Sequence, residues 1–190
     1  MTLTQYKKII KSLSREELEA HLLEMFKSSK LFKDIESSYW SEESKEELLD
    51  DLKNRLRKVF WKEDFSLSEL KDVLNDYLSR TVDEELKARM HLVYAIEAAE
   101  LSANFGDFGE RFYNSLESSA EKCLSYAKLH PEFFCLHEAE LEDLIATAEP
   151  LGYGVSDNLD DMVEEIRIEL SRALKETKVG TTEPSPGTPS

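Results

Sequence analysis

Cysteine, glycine and proline are scarce in this chain, and each scarcity excludes something. Two cysteines cannot build a disulfide scaffold. Glycine occurs six times and proline five; Pro184, Pro186 and Pro189 fall in the last seven residues, so only Pro131 and Pro150 interrupt the body. No apolar run approaches the ~18 residues of a membrane span, and the opening Met1 to Ser12 lacks the apolar core of a secretory signal. The expected address is a reducing cytoplasm, with no membrane partner. Positive charge is also short, at 24 Lys and Arg against 40 Asp and Glu, a formal net charge of -16. That balance argues against direct binding of nucleic-acid phosphate; a basic protein partner, or none, fits it better.

What remains is helix-forming. A chain of 190 residues that is 41% hydrophobic can bury roughly 70% of its unfolded surface in one core. Residues 1–176 read as a single helical domain, and 177–190, rich in Pro, Ser and Thr, as a disordered tail. Helix starts are marked by Ser or Thr followed three residues later by Glu, a spacing that lets each side chain satisfy a backbone N–H of the other. Four such boxes occur, Ser14 with Glu17, Ser44 with Glu47, Ser66 with Glu69 and Thr81 with Glu84, and Asp107 with Glu110 is a relative. Apolar residues then recur at three and four, as in Leu18, Leu22, Met25 and Phe26 or Leu48, Leu52, Leu56 and Val59. Further amphipathic stretches run over 4–12, 108–129, 132–148 and 159–174, with a turn or two around 31–40. The expectation is an all-α fold, an irregular antiparallel array or bundle of about eight or nine helices. The unequal spacing of the boxes excludes a regular repeat.

Three segments carry a resemblance. They are Lys11-Ser-Leu-Ser-Arg-Glu-Glu-Leu, Asn104-Phe-Gly-Asp-Phe-Gly-Glu-Arg-Phe-Tyr-Asn-Ser-Leu-Glu-Ser and Leu151-Gly-Tyr-Gly-Val-Ser-Asp-Asn-Leu. Together they resemble a family of small, uncharacterised bacterial all-helical proteins of unknown function, over about Lys11 to Glu165, and Glu97 also looks like a family position. The resemblance implies an all-helical intracellular protein and no activity.

Taken on its own chemistry, the second segment reads as a tight helical hairpin. Asn104 and Gly106 suit the left-handed end of one helix, and Asp107 suits the cap of the next. A helical projection places Phe112, Leu116, Ser119, Cys123 and Ala127 on one side and Asn114, Ser118, Glu121 and Ser125 on the other. Two readings stand together: a turn kept for its geometry, or a polar recognition patch of Asp107, Tyr113 and Asn114. Glu97 falls within the apolar stripe of Leu86, Met90, Val93 and Leu101, where a carboxylate is costly unless paired. Arg111, Tyr113 or His91 are the partners the sequence suggests for it. A buried network is the preferred reading, and a ligand-binding or acid-base carboxylate the alternative.

Metal and catalytic patterns come out weak. A di-iron bundle needs Glu three residues before His, but Leu18, Ala88, Ala127 and Phe134 precede His21, His91, His130 and His137. Cys123, His130, Cys135 and His137 crowd around Pro131 without a Cys-x-x-Cys pair. No phosphate-binding loop or nucleophile elbow occurs, and Gly152-Tyr153-Gly154 reads as an irregular link with Tyr153 packed or offered to a partner. The cations Lys53, Arg55, Arg57, Lys58 and Lys62 lie among Asp50, Asp51, Glu63 and Asp64, so internal ion pairs are expected there. No cofactor and no metal is expected.

Residues 132–169 hold 12 acids against the single Arg167. This acidic third, with Asp157, Asp160 and Asp161, and the hairpin end around Asp107, Arg111, Tyr113 and Asn114 are the candidate surfaces of a protein-interaction or adaptor module. The alternatives are an acidic nucleic-acid mimic, occupying the basic groove of a nucleic-acid-binding protein, and an enzyme built on Glu97. Solubility alone also explains an acidic face.

Overall fold

The structure is a computed structural model that describes residues 1–62 and 65–179. Among these residues the chain forms nine α-helices and no strand: α1 (Leu3–Ser12), α2 (Arg15–Ser28), α3 (Lys30–Trp40), α4 (Glu42–Phe60), α5 (Leu67–Leu78), α6 (Glu84–Phe105), α7 (Glu110–Leu129), α8 (Pro131–Ala148) and α9 (Val155–Val179). The fold is the expected all-α array. The region from Lys30 is a full helix of 11 residues rather than a turn or two. Of the expected tail, residues 180–190 lie outside the described residues, and α9 runs across the 176/177 boundary.

α6 is the helix around which the others assemble. It packs against α4, α5, α7 and α8, and 12 of its 22 residues are buried, so it is covered on most sides rather than along one stripe. Ala88, Ala95, Ala98 and Ala99 are all buried, and their small side chains let neighbouring helices approach closely. Leu52 and Leu56 from α4, Leu70 from α5, Leu116 from α7, Leu144 from α8 and Leu159 from α9 complete the core at 0–2% exposure. Each such burial is worth about 1.5–3 kcal/mol relative to an exposed side chain.

Two hydrogen bonds link α6 to α7 inside this core. Tyr94 Oη meets Ser115 Oγ at 3.0 Å, and His91 Nδ1 meets Ser119 Oγ at 2.9 Å. Ser119 also donates to the His91 carbonyl at 3.1 Å. Its one proton is thereby used, so His91 Nδ1 must donate to Ser119 and Nε2 is the bare nitrogen. Burial, with Lys122 nearby, pushes the His91 pKa down to about 4, so the ring is neutral at pH 7.

The capping boxes at Ser14 and Ser66 form as the spacing predicts, and a further box joins Thr2 and Gln5. Three starts are corrected. α4 is capped by Ser41, whose hydroxyl accepts from Ser44 N at 3.2 Å. α6 is capped by Asp83, because Thr81 is drawn inward to accept a hydrogen bond from Ser38, 43 residues earlier. α7 begins after Gly109, not Asp107. At α4 and α6 a second side chain two or three residues away competes for the cap, and the box spacing cannot rank the two; at α7 the cap is Gly109, with no side-chain cap bond, and Asp107 instead accepts from the Gly109 N–H.

The stripe Leu18, Leu22, Met25 and Phe26 is helical, but neither α1 nor α2 has a buried residue. α2 packs on α3, and Leu22 and Leu23 stay 44% and 58% exposed. Periodicity made the helix legible there, not its depth in the fold.

Candidate functional site

The hairpin between α6 and α7 turns on two glycines. Gly106 has φ 102° and ψ -165°, and Gly109 φ 84° and ψ 165°, a region that is essentially glycine-only. A Cβ at either would meet open space, so backbone conformation alone demands glycine. Between them Asp107 accepts from the Gly109 N–H at 2.7 Å. Asn104 stays helical and its amide donates to the Glu100 carbonyl.

This turn is held by a chain of aromatic rings. Phe65, ahead of α5, contacts Phe60 at 5.8 Å and Phe108 at 5.2 Å; Phe108 contacts Phe112 at 5.1 Å; Phe112 contacts Tyr113 at 6.1 Å. The last link is Tyr113 to Tyr153, 5.5 Å between ring centroids. The Asn104 and Leu151 motifs, 47 residues apart in sequence, therefore meet in space, and Asn158 reinforces the junction by donating to Glu117 at 2.7 Å.

Tyr113 is only 2% exposed, and burial together with the nearby Asp107 charge pushes its phenol pKa up. Asp107, Tyr113 and Asn114 therefore do not share one exposed surface. Arg111 and Asn114 face outward on α7, towards α5. Tyr153 is 60% exposed and is the one non-glycine residue with positive φ, 63°, among the described residues. An aromatic side chain held there is uncommon and strained.

After Tyr153, α9 buries Val155, Leu159, Val163 and Ile166. Asp157, Asp160 and Asp161 fall on its opposite, exposed face. Five of the twelve acids in this third meet a cation within the fold: Arg167 pairs with Glu138 at 3.0 Å, with Glu142, and with Glu164 at 3.7 Å. Lys128 pairs with Glu165 at 3.2 Å and Glu169 at 2.8 Å. Among the described residues Asp157, Asp160 and Asp161 have no such cation.

Glu97 is 3% exposed and fully engaged, but its partners come from α4, not from the suggested Arg111, Tyr113 or His91. Arg57 Nε reaches Oε2 at 2.5 Å, Arg57 Nη2 reaches Oε1 at 2.9 Å, and Lys53 Nζ lies 3.3 Å from Oε1. Arg57 also reaches Glu100 at 3.1 Å. Pairing with Glu97 raises the arginine pKa. The spacing of Lys53 and Arg57, four residues apart and so on one face of α4, was the available signal. A cleft of about 250 Å³ lies beside the pair, rimmed by Trp61 and Phe105, whose rings meet edge to face at 5.7 Å. Both carboxylate oxygens are already held by cations of α4.

The four Cys and His residues near Pro131 are dispersed. Cys123 is buried, and burial pushes its thiol up to about 12, so it holds no thiolate at neutral pH. Cys135 is exposed, His130 stacks on Tyr126 at 4.1 Å, and His137 Nδ1 bonds Glu140. Among the described residues no group of three His, Cys, Asp or Glu side chains is placed to hold a metal ion, and no helix is long and apolar enough to cross a membrane. Compared with known proteins, the chain matches no family model, no curated protein and no solved structure.

Proposed function

We propose that this protein is a protein-interaction module that receives a basic segment of a partner on the surface formed by Tyr153 with Asp157, Asp160 and Asp161. The observation that carries the reading is the strained, 60% exposed Tyr153 standing one to two turns before three carboxylates that have no cation among the described residues. An aromatic anchor of low conformational entropy beside a charged rim is the usual composition of an interface hot spot. Uncompensated acids steer a basic partner to it and suppress acidic ones.

The nucleic-acid-mimic reading asks for a long row of free carboxylates. Arg167 and Lys128 engage five of those available in ion pairs within the fold, which shortens the free row and favours a peptide-sized contact.

Affinity purification from the native source, quantified by mass spectrometry, tests the proposal with two variants of equal charge change. Asp157→Asn, Asp160→Asn and Asp161→Asn together should abolish capture of a basic partner and flatten the salt dependence of its binding. Glu43→Gln, Glu47→Gln and Asp50→Asn, exposed on one face of α4, should leave both unchanged. Equal losses from the two sets, or none from either, would return the acidic face to a solubility role.

A further inference from the structure

A cleft between α5, α6 and α7 runs against the charge of the whole molecule. It measures about 360 Å³ and is lined by three cations, Lys71 of α5 and Arg111 and Lys122 of α7, with no carboxylate in its wall. Four other clefts each include at least one Asp or Glu. Among the described residues none of the three cations takes part in an ion pair; other lysines and arginines are unpaired too, but these three share one concavity with no carboxylate in its wall. In a protein of net charge -16, three uncompensated cations gathered around one concavity are not accounted for by solubility.

The rest of the wall supplies hydrogen-bonding groups. Asn114 and Ser118 fall between Arg111 and Lys122 along α7, and Asn75 lies one turn after Lys71 on α5. Arg111, Asn114, Ser118 and Lys122 recur at three or four residues, so α7 presents them along one stripe about 16 Å long. The floor is the α6–α7 seam, where Tyr94 and His91 are locked by Ser115 and Ser119. It is rigid and neutral, and His91 adds no charge. Arginine offers a planar fork to an anionic group and lysine a mobile point charge, a combination suited to an anion with more than one charged group. The volume fits a metabolite rather than a macromolecule.

We propose that this cleft binds a small phosphate-bearing polyanion, held by Arg111, Lys122 and Lys71 and oriented by Asn75, Asn114 and Ser118. The site is separate from the Tyr153 surface, so either can fail without the other.

Titration of the full-length protein with pyrophosphate, orthophosphate and citrate at constant ionic strength, followed by amide NMR, tests it. Pyrophosphate should give saturable shifts confined to α5 and to α7 between Arg111 and Lys122, with orthophosphate weaker. Arg111→Gln and Lys122→Gln, both at exposed positions, should each weaken pyrophosphate binding about tenfold or more with unchanged circular dichroism. Lys7→Gln and Lys8→Gln on α1 should leave it within twofold. Linear, unsaturable shifts, equal weakening by the α1 variants, or saturation by citrate without pyrophosphate would each overturn the proposal.

Discussion

Arg57 and Glu97 form a fork between α4 and α6 in which the arginine is 44% exposed and the carboxylate 3%. The pair is therefore unequal: the cation already stands half in water, whereas the buried anion depends on Arg57 and Lys53 to offset its charge. Arg57→Ala should destabilise the protein by about 3 kcal/mol, because a buried charge is left with Lys53 as its remaining cation. Glu97→Ala should cost about 1–2 kcal/mol, and Glu97→Gln, which keeps one acceptor, less. Urea unfolding of the three variants checks the order. A Glu97→Ala loss larger than that of Arg57→Ala would show that the carboxylate's packing, not its charge, matters.

The two glycines of the hairpin should be intolerant although nothing crowds them. Gly106→Ala and Gly109→Ala should each lower stability by about 1–3 kcal/mol, through backbone strain alone. Gly152→Ala, at a glycine without positive φ, should change it by under about 0.5 kcal/mol. Thermal melts of the three would reveal a different origin if all behaved alike.

His91 makes stability sensitive to acid. Its folded pKa, about 4, lies below the unfolded value of 6.5, so between these values the unfolded chain binds more protons and stability falls as pH falls. The effect reaches on the order of 3 kcal/mol near pH 4, at 1.36 kcal/mol per unit of pKa difference. His91→Gln should be less stable at pH 7 but show a flatter decline from pH 6.5 to pH 4. A parallel decline would assign the acid sensitivity to carboxylates such as Glu140, whose pKa the bond with His137 lowers.

Arg167 should matter more at low salt than at high. It joins Glu138 and Glu142 of α8 to Glu164 of its own helix, all at partly exposed positions, so its loss leaves three like charges to repel. Arg167→Gln should cost about 1 kcal/mol at low ionic strength and shrink toward zero in 1 M NaCl, where screening acts over about 3 Å. A salt-independent loss would point to its aliphatic packing instead.

Helices could be read from sequence wherever the signal was local. Apolar residues at three and four, and caps at Ser14 and Ser66, depend on neighbours within one turn. The buried face of α7, from Phe112 through Leu116, Ser119, Cys123 and Ala127, followed from its projection alone. Cap position at α4 and α6 was legible only to within a few residues, because adjacent Ser, Thr and Asp compete and tertiary contacts such as Ser38 to Thr81 decide; at α7 the start moved from Asp107 to Gly109, whose backbone conformation sets it. α2 shows the other limit: its stripe specified a helix, but burial depended on whether another element arrived to cover it.

The sequence by itself determined the all-helical class, the helical hairpin that turns at Gly106, and the need of Glu97 for a partner. These are properties of composition, periodicity and single-residue chemistry. Only the tertiary structure decided that Arg57 and Lys53 would be that partner, that the rings of Tyr113 and Tyr153 would meet, which acids of the last third stay uncompensated, and that Lys71, Arg111 and Lys122 would share a cleft. Each of those joins residues roughly 40 or more apart, or on different helices, and helical periodicity says which face a residue occupies but not which face of another helix it meets.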